Sequence, residues 1–226
     1  AAFAQSNVVI YGVADAGYVY GSDSFVTNGK STSKMTSGGQ TGSRLGFRGT
    51  EDLGNGLSAN FKYEQALNID VGGETVAGGG RWATVGLSGK TWGAFEMGRR
   101  DTFIDQLLGG TDVQDRVTVG QVSPVMRDTA RISNFFAYTS PNWSGLTVKA
   151  GISTSPWADE VTPTTGTTTN VRMYTAAVDY ENGGLKVGAA YQRNKGQSNE
   201  DNSFDAGSEW ALGGKYKIGI VTLGAQ

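Results

Sequence analysis

Apolar and polar positions alternate along most of this chain with a period of two. In 146–152, Leu146, Val148, Ala150 and Ile152 share a side opposite Thr147, Lys149 and Gly151. In 185–191, Leu185, Val187, Ala189 and Tyr191 oppose Lys186, Gly188 and Ala190, and in 210–217 Trp210, Leu212 and Tyr216 oppose Ala211, Gly213, Lys215 and Lys217. A strand turns successive side chains to opposite faces, so each stretch reads as a strand with one apolar face. Such segments fall at 7–20, 43–50, 57–67, 81–88, 94–100, 131–140, 146–154, 171–180, 185–193, 208–217 and 220–226, eleven in all. No stretch of ten or more residues carries a helical period.

The connections sort themselves by length. After the second, fourth, sixth and eighth segments come EDLGNG, GKTWG, PNWSG and ENGG, tight strings rich in the residues that form turns. After the odd-numbered segments, first to ninth, come longer polar stretches such as GSDSFVTNGKSTSKMTSGGQTG and SPWADEVTPTTGTTTN. In an up-and-down barrel the odd connections all lie at one rim and the even ones at the other. One rim is then trimmed and the other elaborated, as in transmembrane barrels with short periplasmic turns and long extracellular loops. Trp92 and Trp143 fall in short turns, and Tyr18, Tyr20 and Tyr191 near the opposite strand ends, where interfacial aromatic girdles would lie. Two positions resist: parity puts Asp15 and Arg172 at risk of facing lipid, and a bulge or a snorkelling side chain would relieve either.

Composition narrows the classes. The 226 residues include 35 Gly and no Cys or His, and the length suits a single all-β domain. A net charge of -2 leaves no basic footprint for nucleic acid, which is not expected as a partner. No run of about 18 apolar residues occurs, so no membrane-spanning helix is expected, whereas membrane-spanning strands stay open. Without Cys or His the chain lacks the usual Ser-His and Asp-His general-base pairs, although a carboxylate pair remains conceivable. No enzyme activity, cofactor or metal site is expected. The Ala2-Phe3-Ala4 step reads as the end of a secretory signal, making residues 1–4 its remnant and 5–226 the single domain.

Four stretches carry a resemblance: VVIYGVADAGY, SRLGFRGTEDLGNGL, RWATVGLSGKTWGAFEMGRRD and FFAYTSPNWSGLTV. Together, in order and over nearly the whole chain, they resemble general diffusion porins of the Gram-negative outer membrane, in the form common in Neisseria-like and related β-proteobacteria. The resemblance implies an antiparallel transmembrane β-barrel of about 16 strands that assembles as a homotrimer, with its third long loop folded into the lumen. Here that loop is roughly residues 101–130, and its apolar FIDQLLGG would be costly to leave in water. At about 20 residues per strand such a barrel needs on the order of 330 residues, so the chain is expected to be an N-terminal portion of a longer porin.

The expected function is passive diffusion of small hydrophilic solutes and ions through a charged constriction. Arg44 lies opposite Leu45 and Phe47 in its strand. Arg81 points inward if Trp82 looks outward, and Arg131 opens a strand with Ile132, Phe136 and Tyr138 on the other face. These three match the basic cluster that family members carry opposite the folded-in loop. Arg48 shares the parity of Arg44 but lies nearer the short turn, as an eyelet charge or a wall charge paired with a carboxylate such as Glu64. Of Arg99 and Arg100 at the strand–loop junction, one belongs to the site, and Arg99 is the choice. The loop offers Asp101, Asp105, Asp112 and Asp115, with Asp112 and Asp115 preferred as mid-loop residues. The denser basic wall predicts weak anion preference. Anions and outer-membrane lipid or lipopolysaccharide are the expected partners. Competing readings are a substrate-specific anion-binding channel and a soluble all-β binding protein.

Overall fold

The computed structural model describes residues 7–22, 31–72, 80–113, 131–156, 172–195 and 207–226. The expected signal remnant therefore lies outside the described residues. The strands begin with β1 (Asn7–Val13), β2 (Ala16–Ser22), β3 (Ser31–Ser37), β4 (Arg44–Gly54), β5 (Leu57–Ala66), β6 (Gly80–Gly89) and β7 (Gly93–Asp101). A helix, α1 (Phe103–Thr111), follows, and then β8 (Arg131–Thr139), β9 (Leu146–Ser153), β10 (Arg172–Asn182), β11 (Leu185–Lys195), β12 (Ser208–Ile218) and β13 (Val221–Ala225).

Eleven strands form one sheet in the order β1-β4-β5-β6-β7-β8-β9-β10-β11-β12-β13, while β2 and β3 pair separately. Every described pairing is antiparallel between successive neighbours, which is the up-and-down arrangement that alternating connections demand. Asn55 and Gly56, at φ of 54° and 77°, close the β4–β5 hairpin in the left-handed pair that a type I′ turn needs.

The expected single strand over 7–20 is broken, and the reason is Asp15. Its carboxylate accepts the backbone N–H groups of Gln40 at 2.8 Å and Thr41 at 2.6 Å, and its own N–H donates to Ser43 Oγ at 2.9 Å. These bonds take the place of ladder bonds, so the first hairpin splits into β1–β4 and β2–β3. The β3 strand lies within the stretch expected to be loop. Asp15 is relieved by this break, whereas Arg172 keeps its parity and lies exposed on the outer face.

Across its middle band that outer face is apolar. Ile10 pairs with Phe47 and Phe47 with Tyr63; Val85, Met97, Phe136, Val148, Val178, Val187 and Leu212 continue it, all but the half-buried Phe47 being exposed. An uninterrupted apolar surface across eleven strands far exceeds the few hundred Å² that soluble proteins tolerate, so lipid is its solvent.

The opposite face holds the buried core. The α1 helix lies against β10, β11 and β12, and the Phe103 ring stands 5.5 Å from that of Phe135 in β8. Phe103, Ile104, Leu107 and Leu108 are buried there with Ile132, Phe135 and Met173, each large side chain contributing about 1.5–3 kcal/mol. Ile132 was expected to share a face with Phe136 and Tyr138. It is buried under the helix instead, because Asn134 at φ 50° interrupts the alternation between them. No helical period was legible because α1 has only nine residues. Its N-cap is Thr102, whose Oγ1 accepts the Asp105 N–H at 3.2 Å.

The helix can lie so low because the wall beneath it is small. A Cβ on Gly188 would stand 2.7 Å from Leu107 Cδ1, and one on Gly213 would stand 2.5 Å from Thr111 Oγ1. Ala177, Ala190 and Ala211 complete the seat. Gly213→Val is therefore expected to lift α1 off the wall. In this chain without cysteines, a thiol introduced as Leu107→Cys checks this: it resists a water-soluble maleimide in the parent and labels readily beside Gly213→Val.

Candidate functional site

On the inner face of β1 and β4–β8, charged side chains gather around one carboxylate. Polar residues alternate with aromatics in Asn60-Phe61-Lys62-Tyr63-Glu64, so β5 sends Lys62 and Glu64 inward while Phe61 and Tyr63 face lipid. Register sets Glu64 opposite Gly46, and Gly46 opposite Tyr11. Gly46 leaves room for the Tyr11 ring to lie across it, and a Cβ there would collide with that ring. The Tyr11 hydroxyl donates to Glu64 Oε2 at 3.0 Å.

Three cations converge on the same group. Arg81 Nε donates to Glu64 Oε1 at 2.6 Å, Arg44 Nε lies 3.8 Å from Oε2, and Lys62 Nζ lies 4.0 Å from Oε2. Glu64 keeps 7% of its side chain exposed, against 24% for Arg44, 32% for Lys62 and 22% for Arg81. Water therefore meets the cations, with the carboxylate behind them. Unit charges 4 Å apart interact by about 4 kcal/mol at an effective dielectric of 20, so each close pairing with Glu64 offsets part of the repulsion among these cations.

Arg81 reaches the cluster by a route parity does not give. The condition that Trp82 look outward fails: Trp82 pairs with Glu64 on the inner face, and Lys62 Nζ sits 3.7 Å from its ring centroid. The register slips between Glu64 and Gln65, leaving Arg81 as the extra residue of a bulge, which swings its guanidinium inward.

Arg131 forms an ion pair with Asp101, its Nε 3.0 Å from Oδ1, and lies within electrostatic range of Arg81, Glu64 and Asp105. Asp101 was expected on the loop across from the basic wall. It is instead the last residue of β7, on that wall, as the cross-strand partner of Arg131. Asp105 is buried in the first turn of α1, and Asp112 caps the far end of the helix, its N–H bonded to Leu108 O. Asp115 lies outside the described residues. Arg44 also donates to Gly42 O at 2.7 Å, which ties it to the segment returning from β3.

Arg48 lies exposed on the same face, its guanidinium 5.4 Å from the Tyr11 ring centroid, and the Glu64 contacts go to other cations. At the junction the two arginines divide. Arg99 donates to Gly80 O at 2.8 Å and to Ser133 Oγ at 3.0 Å, binding neighbouring strands. Arg100 is the buried one, paired with Glu96 and 5.2 Å from the Trp82 ring centroid. Lys62, Tyr11, Trp82 and the central place of Glu64 were missed. The parity of β5 carried the signal for Lys62 and Glu64.

An up-and-down antiparallel sheet with a lipid-facing side, a charged inner side and a helix folded onto that inner side is the wall of a transmembrane β-barrel. Residues 1–226 match the family described as Gram-negative porin, and the chain belongs to it. It is 33% identical over 246 residues to an outer membrane porin protein of Bordetella pertussis, covering 99% of the chain and 64% of the relative. It is 31% identical to outer membrane porin protein 32 of Delftia acidovorans, with the same coverage of 99% and 64%. With the major outer membrane protein P.IB of Neisseria meningitidis the identity is 30%, over 84% of the chain and 55% of the relative. The chain thus spans 64% or less of the length of these relatives.

Among solved structures, an anion-selective porin from Comamonas acidovorans superposes with a TM-score of 0.61 at 24% identity, covering 97% of the chain and 78% of that protein. Salmonella typhi OmpF, in complex with daunomycin, gives 0.67 at 20% identity, covering 96% and 64%. These likenesses establish the porin β-barrel fold. The chain is a protein of the Gram-negative outer membrane.

Replacing Glu64 tests its central place. Glu64→Leu removes the acceptor for Arg81 and Tyr11 and is expected to lower stability by about 1–3 kcal/mol. The detergent-extracted protein should show this as an earlier urea midpoint at unchanged m-value. An unaltered midpoint would mean that the cations hold their places without it.

Proposed function

We propose that the protein to which this chain belongs is a water-filled channel, assembled as a homotrimer, for passive diffusion of small hydrophilic solutes and ions. It is weakly anion-preferring and sits among outer-membrane lipid and lipopolysaccharide, with its long connections outward. The observation that carries the preference is the charge balance of the inner wall. Among the described residues Arg44, Arg48, Lys62, Arg81, Arg100 and Arg131 share that wall with the carboxylates of Glu64, Glu96 and Asp101, and Glu64 is screened behind its partners. A permeating anion meets guanidinium and ammonium groups first, which lowers its electrostatic barrier relative to a cation.

The seat of α1 supports the constriction itself. With the helix held on the wall of β10–β12, the lumen narrows between it and the cations of β4–β8, so solutes pass near Arg44, Arg81 and Arg131. Asp105 in the helix and Asp112 at its end are the acids we assign to the opposite side of this passage, with Asp115, outside the described residues, as a further candidate from the sequence. They set a transverse field against the arginines.

Changing Arg44, Arg81 and Arg131 together to Ser is expected to move the reversal potential in a salt gradient from anion-preferring toward neutral or cation-preferring. Single-channel recordings on the full-length protein in planar bilayers read this directly. An unchanged ion preference would refute the assignment. Conductance rising in proportion to solute, without saturation or block by small carboxylates, separates a general pore from a substrate-specific channel.

A further inference from the structure

Arg172, the position that parity sends toward lipid, has company. Arg172, Arg193 and Lys195 are all exposed on the outer face of β10 and β11, at the strand ends that lead into long connections. Register sets Arg172 opposite Lys195 and Tyr174 opposite Arg193, so the cations form one patch two strands wide. Lys195 Nζ lies 5.8 Å from the Tyr174 ring centroid, on the same face. The exposed Tyr174 ring lies beside Arg193, and just below are the exposed rings of Tyr191 and Trp210, opposite each other.

Aromatic rings of this kind settle at the boundary between acyl chains and headgroups. Two residues along a strand is about 7 Å, so Arg172 stands one step above Tyr174, and Arg193, beside Tyr174, stands one step above Tyr191, at headgroup depth. Snorkelling accounts for a single arginine at a rim. It does not account for three adjacent cations, which repel one another. Among the described residues none of the ion pairs reaches Arg172, Arg193 or Lys195. The adjoining stretches 157–171 and 196–206 lie outside the described residues.

We propose that this patch docks the phosphate groups of a glycolipid headgroup in the leaflet at the long-loop rim. The two guanidiniums suit phosphate through paired N–H donors, and Lys195 adds a point charge. The rings beneath pack against the upper part of the acyl chains. The inference rests on the orientation given under the proposed function.

The test exchanges the full-length protein into detergent containing bis-phosphorylated lipid A, or the same lipid stripped of its phosphates, and reads bound lipid by native mass spectrometry. Arg172→Gln, Arg193→Gln and Lys195→Gln together are expected to weaken binding of the phosphorylated form by at least about tenfold. The dephosphorylated lipid should bind parent and variant alike, and Lys90→Gln, exposed at the short-turn rim, should change nothing. Equal binding of both lipids by the parent, or phosphorylated lipid held undiminished by the triple variant, overturns the proposal. Should the triple variant fail to fold, Arg172→Gln and Lys195→Gln singly, each expected to weaken binding about threefold, carry the same decision. Conductance of the same preparations keeps the two readings apart. A conducting protein whose lipid binding ignores the triple change removes this site alone, whereas a parent that does not conduct removes the pore.

Discussion

A bilayer offers no partner for a backbone N–H or C=O, and this requirement governs everything else in the molecule. Antiparallel strands meet it by bonding to each other, and pairing in turn commits each strand to two faces with opposite solvents. The outer face has little freedom: at the depth of the acyl chains it must be apolar from β1 to β13, and its middle band is. The inner face is free of that demand, and the chain uses the freedom differently along its length. From β4 to β8 it carries Arg44, Lys62, Glu64, Arg81 and Arg131, while from β10 to β12 it carries Ala177, Gly188, Ala190, Ala211 and Gly213.

The two halves of the inner face depend on each other. A wall of small side chains makes no pore chemistry by itself, but it lets α1 lie close enough to bury Phe103, Ile104, Leu107 and Leu108. In the function proposed, the seated helix is the surface that the charged wall confronts. That wall tolerates its own density because Glu64 takes charge-assisted contacts from Arg81, Arg44 and Lys62 and a hydrogen bond from Tyr11. Arg131 and Asp101 add a second pair from the neighbouring strands. Because Glu64 is buried behind the cations, compensation within the cluster does not erase its positive face.

The alternation of apolar and polar residues and the alternation of short and long connections were enough to read the strand order, the lipid-facing side and the inward direction of Arg44 and Arg48. Both patterns are local: they follow from the pleat of a strand and from which rim a turn occupies. What the sequence did not disclose are the places where local geometry is interrupted by a partner far along the chain. Asp15 breaks its strand because residues 40 and 41 come back to it. Arg81 points inward through a slip of register against β5 while Trp82, beside it, points inward as well. Asp101 belongs to the wall because β8 arrives to pair with β7. The glycines under α1 were visible as small inward residues, yet their meaning depends on a helix contributed from about 80–110 positions earlier in the chain. Period and turn chemistry determined the two-faced sheet, because each is decided within a few residues. Tertiary structure alone decided the grouping around Glu64 and the seat of the helix, because bulges, long-range caps and packing act between residues that are neighbours only after folding.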